Sequence, residues 1–206
     1  MPPVLGLVLA GGLARRMGGG DKPLRLLAGR SLLDRVVSRL APQCAAGIVL
    51  NANGDPDRFP DFPGSIVPDD VPDNPGPLAG ILAGLDHAAA RHPAIAHVVS
   101  VSGDAPFLPL DLVDRLARQA GPGRAIVMAA SGEREHFTVA LWRVSLRADL
   151  RRALVERGER RVGAFLRRHE AVSVSWPTLP LDPFANINTP EDLAAAEATL
   201  ARFEPD

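Results

Sequence analysis

Continuous apolar runs alternate with helical patterns along the first half of the chain. Residues 4–10, 47–53 and 95–104 are apolar runs bounded by turn-forming residues, which is typical of strands buried on both faces. Between them, residues 31–43 carry apolar side chains at helical spacing, and residues 77–92 are predicted as a small-residue helix that opens with a proline. This order predicts strand–helix units whose consecutive strands lie parallel.

The second half continues with a helix, two strands and a final helix. Residues 108–119 have the helical pattern, and residues 124–130 and 136–143 indicate strands. The last helix is predicted to be capped by Thr189, because a proline follows it and an aspartate lies three residues later. We therefore predict one α/β domain over residues 1–206, with a mostly parallel sheet and helices on both faces.

Three unusual stretches follow three of the predicted strands. They are a Gly-rich loop after the first strand, Asn-Ala-Asn after the second and Ser-Gly-Asp-Ala-Pro after the third. Ligands of such sheets bind beyond the carboxyl ends of the strands. The sequence therefore predicts a ligand site at this edge. Two segments rich in proline and aspartate, residues 53–65 and 68–76, are predicted as surface loops.

Composition and charge narrow the class of protein. The 206 residues are 46% hydrophobic with a net charge of -1, which is ordinary for a soluble globular protein and unlike a general nucleic-acid binder. One cysteine, Cys44, cannot form an internal disulfide and is expected to be packed, which fits a cytoplasmic protein. With no apolar stretch of membrane-spanning length, we expect no membrane partner.

Nine arginines and three acids lie between Arg143 and Arg168, a local balance of +6. This excess is open to two interpretations. It is either the solvated face of a pair of helices or a rim that attracts an anionic substrate.

The loop from Leu9 to Leu24 combines five glycines with Arg15, Arg16 and Lys22. Glycine N–H groups can converge on phosphate oxygens, and the three cations would add charge-assisted hydrogen bonds. The loop matches neither a Walker A motif nor the dinucleotide-binding pattern of three glycines. Two interpretations of the loop stay open: a phosphate-binding loop of another type and a glycine-rich connector.

Three further polar positions carry candidate chemistry. Asp104 ends a predicted strand, where its carboxylate could hold Mg²⁺ beside a phosphate or could cap the turn into Pro106. Asn186 and Asn188 lie at another element boundary, where turn and cap roles are also open. His136 has no partner at metal-ligand spacing, and no arrangement for nucleophilic catalysis stands out. Phosphoryl or nucleotidyl transfer fits these residues best.

Six motifs in order resemble those of the molybdenum cofactor guanylyltransferases, which are nucleotidyltransferases with a Rossmann-like domain. They are LAGGLARRMGGGDK, NAN, PGPLAG, SGDAPFLP, GERRV and NINTPED, and they span some 180 residues. The family often has His-Pro-Thr where this chain has His-Phe-Thr at residues 136–138. The strand therefore lacks the φ that proline would fix, and His136 is left without an assigned role.

The resemblance implies a role for particular residues. It implies a nucleotide-binding part over about residues 1–110 and a pterin-substrate side over about residues 111–190. Arg16, Lys22 and Asp104 are implied as catalytic residues, with Asp104 also the Mg²⁺ ligand. The nucleotide contacts implied are Leu9, Ala10, Gly11, Gly12, Lys22, Asn51, Asp69, Gly76, Pro77 and Leu78. Those implied on the pterin side are Arg160, Asn186 and Asn188.

The reaction that the resemblance implies is transfer of GMP from GTP to the terminal phosphate of molybdenum-molybdopterin, with release of pyrophosphate and with Mg²⁺ as cofactor. It also implies contact with a molybdenum insertase and with the molybdoenzyme apoproteins that receive the product. No nucleic-acid partner is expected.

Three alternatives stay open at this stage. A molybdenum cofactor cytidylyltransferase would share the fold and chemistry, although such enzymes more often have alanine in place of Gly11 and lack the acid at Asp21. A non-catalytic nucleotide-binding regulator is disfavoured by the joint presence of Lys22, Asp104 and Asn188. A sugar-1-phosphate nucleotidyltransferase would need a longer chain.

Overall fold

The computed structural model describes residues 2–11, 21–72 and 76–203. A seven-stranded sheet forms the centre, with the strand order β5-β4-β1-β6-β8-β7-β9. Its strands are β1 (Val4–Leu9), β4 (Ile48–Asn51), β5 (Ser65–Val67), β6 (His97–Ser102), β7 (Ile126–Ser131), β8 (Arg134–Arg143) and β9 (Val172–Trp176). A separate pair, β2 (Leu26–Leu27) and β3 (Arg30–Ser31), is antiparallel.

The strand directions confirm the prediction of a mostly parallel sheet. β1 pairs in parallel with β4 on one side and with β6 on the other, and β4 pairs in parallel with β5. β8 runs antiparallel to both β6 and β7, while β9 is again parallel to β7. The carboxyl ends of β5, β4, β1 and β6 therefore meet at one edge of the sheet.

Helices cover both faces of the sheet, as predicted. The helices are α1 (Leu32–Leu40), α2 (Pro77–Arg91), α3 (Leu112–Gln119), α4 (Arg147–Val155), α5 (Val162–Arg168) and α6 (Pro190–Phe203). One core joins α1 and α3 to the sheet, and the other joins α2, α4 and α5 to its opposite face. Cys44 is packed in the first core, where burial raises the pKa of its thiol to about 12.

The final helix begins as the sequence predicts. The Thr189 hydroxyl accepts from the Asp192 N–H at 3.1 Å, and the Asp192 carboxylate accepts from the Thr189 N–H at 2.9 Å. This reciprocal capping box fixes the start of α6, which packs with β2 in a small third core. Within the described part of the chain, no helix combines the length and apolar character needed to cross a membrane.

The arginine-rich region forms two helices, α4 and α5, which are only partly solvated. Leu150 and Phe165 are fully buried against the sheet, so each helix has an apolar face. Arginines of this region pair with acids: Arg151 of α4 contacts both Asp70 and Asp86, and Arg157, in the connection after α4, contacts Asp149 at 3.3 Å. Four short strands were not predicted from the sequence: β5 and β9 of the main sheet and the separate pair β2 and β3.

Candidate active site

A cavity of about 620 Å³ lies at the carboxyl edge of the parallel strands. This volume is within the range of small-molecule sites. Its polar lining comes from four strand ends and the turns beside them, so it lies where the sequence predicts a ligand site. The described lining residues are Leu9, Ala10, Gly11, Asp21, Lys22, Pro23, Asn51, Asn53, Arg58, Asp69, Gly76, Pro77, Ser102, Asp104 and Thr138. A separate groove beside α1 lacks these strand-end polar groups.

One end of the cavity, called here the charged end, is lined by Lys22, Ser102 and Asp104, and Asn188 borders it through a hydrogen bond to Lys22. The Lys22 ammonium donates to the Asp104 carboxylate and to Asn188 Oδ1, the latter at 2.6 Å. The second Asp104 oxygen accepts from the Ser102 hydroxyl at 2.5 Å. The Asp104 carboxylate is therefore directed at Lys22 and Ser102.

Asn188 reaches this end because its segment is tied to the end of β6. The Ile187 N–H donates to the Asp104 carbonyl at 2.9 Å, which places the residue that follows beside Lys22. The side chain of Asn188 is thus a partner of a cation, while Thr189 caps α6. Asn186 is half-buried, and its carbonyl accepts from Asn188 Nδ2 at 3.4 Å.

The other end of the cavity, called here the amide end, consists of Asn51, Asn53 and Asp69. Asp69 accepts from Asn51 Nδ2 at 2.9 Å through one oxygen and from Asn53 Nδ2 at 2.8 Å through the other. Asn53 Oδ1 in turn accepts from the Asp69 N–H at 2.8 Å. Asn51 is only 4% exposed and also donates to the Val67 carbonyl. Buried amides that are satisfied in this way have a fixed orientation.

Helix α2 lies behind the amide end and leaves space for the Asn51 side chain at Gly80. A Cβ added at Gly80 of α2 would lie 2.1 Å from Asn51 Oδ1 and 2.9 Å from a methyl of Leu9. Only a residue without a side chain leaves this space. Gly80 therefore allows the Asn51 carbonyl oxygen to lie against the helix while its Nδ2 faces Asp69.

Most of the nucleotide contacts expected from the sequence line this one cavity. Ala10 donates its N–H to the Asn51 carbonyl at 2.9 Å, and the Leu9 carbonyl accepts from the Gly103 N–H at 2.9 Å. Leu78 is fully buried in the core shared by α2 and the sheet and is not among the described lining residues, so its expected nucleotide contact stays a prediction. Gly12 and Arg16 lie outside the described residues.

Arg160 is not among the residues that line the cavity. Its guanidinium donates to the carbonyls of Leu154 at 2.9 Å and Glu159 at 3.2 Å, so it binds the connection between α4 and α5. The conformation of this connection is further fixed by the Glu159 carboxylate, which accepts from the Arg160 and Arg161 N–H groups. These hydrogen bonds lower the pKa of Glu159, the bond from Arg161 most.

His136 is buried beside the cavity on β8. Its Nε2 lies 2.6 Å from the Ser131 hydroxyl, and its ring contacts Phe184 with a centroid separation of 4.8 Å. Burial lowers the pKa of His136; the Asp182 carboxylate opposes this effect and Arg134 adds to it. A buried imidazole held in this way supports the strand, and Thr138, two residues on, lines the cavity.

The charged end has the donor set that Mg²⁺ uses beside a phosphorylated ligand. Mg²⁺ is typically held by one or two carboxylates together with ligand phosphate oxygens and waters. Asp104 supplies one carboxylate at the cavity wall. Among the described residues, no three histidine, cysteine, aspartate or glutamate side chains form a metal-binding group of their own. The residues present fit an ion shared with a ligand.

Six lining residues were not predicted as site residues: Asp21, Pro23, Asn53, Arg58, Ser102 and Thr138. Asn53 lies in the Asn-Ala-Asn stretch and Ser102 lies two residues before Asp104, so the strand ends pointed to their position but not to their role. Thr138 lies on β8, whose sequence is that of an ordinary strand. Arg58 comes from a segment predicted only as a surface loop, in which no pattern distinguishes it.

Comparison with known proteins gives consistent matches over nearly the whole chain. Residues 6–172 match the family described as the MobA-like NTP transferase domain. A protein of Bradyrhizobium sp. (strain ORS 278) named molybdenum cofactor guanylyltransferase is 55% identical over 204 residues, covering 98% of this chain and 96% of the relative. A relative of the same name from Nitrobacter hamburgensis is 53% identical over 202 residues, covering 98% and 96%.

The fold also matches that of a solved structure. The crystal structure of molybdopterin-guanine dinucleotide biosynthesis protein A from Archaeoglobus fulgidus matches with a TM-score of 0.72, covering 97% of this chain and all of that one. Its sequence is 24% identical, so the likeness concerns the fold.

Proposed function

This chain belongs to the family of MobA-like NTP transferases, and from that premise we propose that it transfers GMP from GTP to the terminal phosphate of molybdenum-molybdopterin, releasing pyrophosphate. One observation carries the proposal. The chain unites, in one cavity at the carboxyl edge, a cation–carboxylate pair and a satisfied amide–carboxylate network. Such a cavity offers different chemistry to the two ends of a nucleoside triphosphate.

The triphosphate is assigned to the charged end. An ammonium has three N–H donors, and Asp104 and Asn188 accept from two of those of Lys22. The third can bind a phosphate oxygen, with the strength of a charge-assisted hydrogen bond. The backbone at Gly11, which is exposed at the end of β1, can approach the same phosphates closely.

Mg²⁺ is proposed as the cofactor, with Asp104 as the protein ligand. When bound there, the ion would neutralise charge on the phosphate oxygens. The Ser102 hydroxyl holds one Asp104 oxygen in place, which leaves the carboxylate oriented toward the cavity.

The guanine and ribose are assigned to the amide end. Guanine presents N–H donors at N1 and N2 and an acceptor at O6, whereas cytosine presents a single amino donor. The backbone carbonyls from Leu9 to Gly11 and the oxygens of Asn51 and Asp69 are acceptors of the kind that guanine needs. Because their orientation is set before a ligand binds, a base with too few donors leaves acceptors unpaired.

The chemical step needs positioning and charge neutralisation more than covalent help from the protein. An oxygen of the acceptor phosphate forms a bond to the α-phosphorus in line with the bond that breaks. The electron pair of that broken bond leaves on pyrophosphate. The acceptor phosphate is already ionised, so no general base is required. Lys22 holds the leaving group, and Arg16 is proposed to assist it.

The acceptor pterin is assigned to the side formed by about residues 111–190, as opposed to the nucleotide part at about residues 1–110. Asn188 supports this assignment, because it contacts Lys22, the residue assigned above to the triphosphate. Asn186 is included in the proposal as its neighbour in the same segment. Arg160 remains a proposed contact and would have to exchange its bonds to the α4–α5 connection.

The proposal is tested by comparing GTP and CTP as substrates with the same molybdenum-molybdopterin acceptor. Each acceptor left unpaired costs about 1–3 kcal/mol, so kcat/KM should favour GTP by about tenfold or more for each bond that CTP cannot make. In Asn51→Ala this ratio should fall, chiefly because the value for GTP declines. The measurement is pyrophosphate release under steady-state conditions.

Two outcomes would contradict the proposal at different levels. Equal kcat/KM values for GTP and CTP in the wild type would overturn the guanylyl assignment and leave nucleotidyl transfer in place. Absence of pyrophosphate release with any nucleoside triphosphate, despite tight binding, would favour a non-catalytic nucleotide-binding protein.

A further inference from the structure

The Arg58 side chain lies between the two ends of the cavity and is held in a fixed orientation. Its Nε donates to the Asp55 carbonyl at 3.0 Å, and its Nη2 donates to the Asn53 carbonyl. Its Nη1 donates to the Asp21 carboxylate at 2.5 Å. Two nitrogens of Arg58 thus donate to carbonyls of its own loop. The remaining nitrogen of the planar guanidinium donates to Asp21, which comes from another segment.

The acid that Arg58 binds stands directly before Lys22 in the chain. Asp21 precedes the short 3-10 turn Lys22–Leu24, but its side chain makes no capping hydrogen bond to that turn. Its carboxylate instead accepts from Arg58, and both side chains line the cavity. The side chain of Asp21 is therefore oriented by Arg58 and not by the turn that it begins.

Arg58 also contacts the amide end. The carbonyl to which its Nη2 donates belongs to Asn53, whose side chain exchanges two hydrogen bonds with Asp69. Asp69 accepts from Asn51 in turn. A continuous series of hydrogen bonds thus runs from Asp21, through Arg58, to Asn51 at the other end of the cavity.

The charges in the cavity explain why such a residue is needed. The described lining includes three carboxylates, Asp21, Asp69 and Asp104, and two cations, Lys22 and Arg58. Lys22 is paired with Asp104, and Arg58 is paired with Asp21. An unpaired carboxylate next to Lys22 would repel a polyanionic ligand and compete for the ammonium.

We propose that Arg58 is a positioning residue for the nucleotide, which neutralises Asp21 and fixes the turn that carries Lys22 against the amide end. This inference rests on the proposed function, since it assumes a nucleoside triphosphate as the ligand. Arg58 acts through Asp21 and Lys22, and it takes no part in bond making or breaking.

The test uses full-length Arg58→Gln, Asp21→Asn and the double variant that combines them, with GTP and Mg²⁺ as the probe. In Arg58→Gln, KM and Kd for GTP should rise about tenfold, as expected when a charged hydrogen bond is replaced by an unpaired carboxylate. The kcat should change less than about twofold, because the residue does not contact the reacting atoms. In the double variant, KM should fall back toward the wild-type value, because the repulsive charge is gone and a neutral hydrogen bond is available.

A matched control removes an Arg–Asp pair away from the cavity. Arg118 pairs with Asp114 at 2.8 Å on α3, and Arg118→Gln should leave KM for GTP unchanged. Arg58→Lys keeps the charge but loses the fork, so its KM should lie between those of wild type and Arg58→Gln. Thermal melting without nucleotide shows that each variant is folded.

The results separate failure of this inference from failure of the proposed function. If the wild type transfers GMP but Arg58→Gln retains a wild-type KM, or if Asp21→Asn does not rescue it, the role of Arg58 is overturned and the function stands. If the wild type neither binds nor uses GTP, the proposed function fails and the inference fails with it.

Discussion

The charged end and the amide end of the cavity are constructed from different parts of the chain. At the amide end, Asp69 follows β5 and binds Asn51 and Asn53, which are 18 and 16 residues away. These asparagines lie at the end of β4, the parallel strand next to β5. At the charged end, Lys22 binds Asp104 and Asn188, which are 82 and 166 residues away. The amide end therefore follows from the pairing of two neighbouring strands, whereas the charged end requires the whole domain to be folded.

The two ends also differ in the kind of interaction that holds them. The amide end is a partly buried network of directional hydrogen bonds, so it is expected to discriminate between bases by shape and hydrogen-bonding pattern. The charged end is an ion pair with an amide, and its members can exchange partners when a phosphate and a cation arrive. Changes there should affect rate and salt dependence, and changes at the amide end should affect selectivity.

The largest effect is expected from Asp104→Asn, which keeps the shape of the side chain but removes its charge. Loss of the proposed Mg²⁺ ligand should remove several kcal/mol of charge stabilisation in the transition state, which corresponds to a fall in kcat/KM of about 10²–10³-fold. The measurement is the rate of transfer as a function of Mg²⁺ concentration. Higher Mg²⁺ should recover part of the loss.

Asp114→Asn is the control for that change, because it alters an aspartate in a surface pair on α3. It should retain wild-type transfer at every Mg²⁺ concentration. Wild-type activity of Asp104→Asn at low Mg²⁺ would remove the basis for assigning a metal to this end of the cavity.

A smaller effect is expected from Lys22→Ala at the same end. Hydrogen bonds to charged groups contribute about 1.5–3 kcal/mol, so GTP affinity should fall by about 10- to 150-fold. The difference between variant and wild type should shrink as salt rises, because screening weakens the wild-type contact. Titration of GTP at low and high ionic strength measures both effects. An affinity that is unchanged in the variant would mean that the turn at Lys22 only connects β1 to the rest of the fold.

The contrast between local and long-range contacts also explains how much of the molecule could be predicted from the sequence. The apolar runs of β1, β4 and β6 are continuous, so the strands and the polar residues at their ends were predictable, and with them Asn51 and Asp104. β5 was missed because it has only three residues, of which Ser65 is exposed and the other two are half-buried. β9 was missed although its sequence, Val-Ser-Val-Ser-Trp, has the alternation typical of a half-buried strand.

Long-range contacts set the limit for the site itself. The resemblance to a family assigned Asn188 to the pterin side, but nothing in its local sequence indicates a contact with Lys22. The role of Arg58 depends on Asp21, 37 residues away, and on the conformation of a Pro-rich loop without periodicity. Leu78 follows Pro77 in the same motif, but α2 directs its side chain into the core, which the motif alone does not indicate.

The smallest expected effect, and the one most specific to the amide end, comes from two glycines one turn apart on α2. Alanine normally stabilises a helix by about 1 kcal/mol relative to glycine. In Gly80→Ala the new methyl would lie 2.1 Å from Asn51 Oδ1, so Asn51 must move and weaken its bonds to Asp69 and Val67. We expect the preference for GTP over CTP in kcat/KM to fall by about tenfold, the equivalent of one hydrogen bond.

Gly84→Ala provides the matched control, because its added methyl would also be crowded but would contact only a core side chain. Its methyl would lie 2.5 Å from a methyl of Leu7 in β1, which should reduce stability by about 1–3 kcal/mol through overpacking. Its GTP preference should remain that of the wild type, because Leu7 does not line the cavity. Thermal melting and the two kcat/KM values separate the effects. If both variants lost the same fraction of GTP preference, selectivity would depend on the packing of α2 as a whole, and Asn51 would lose its particular role.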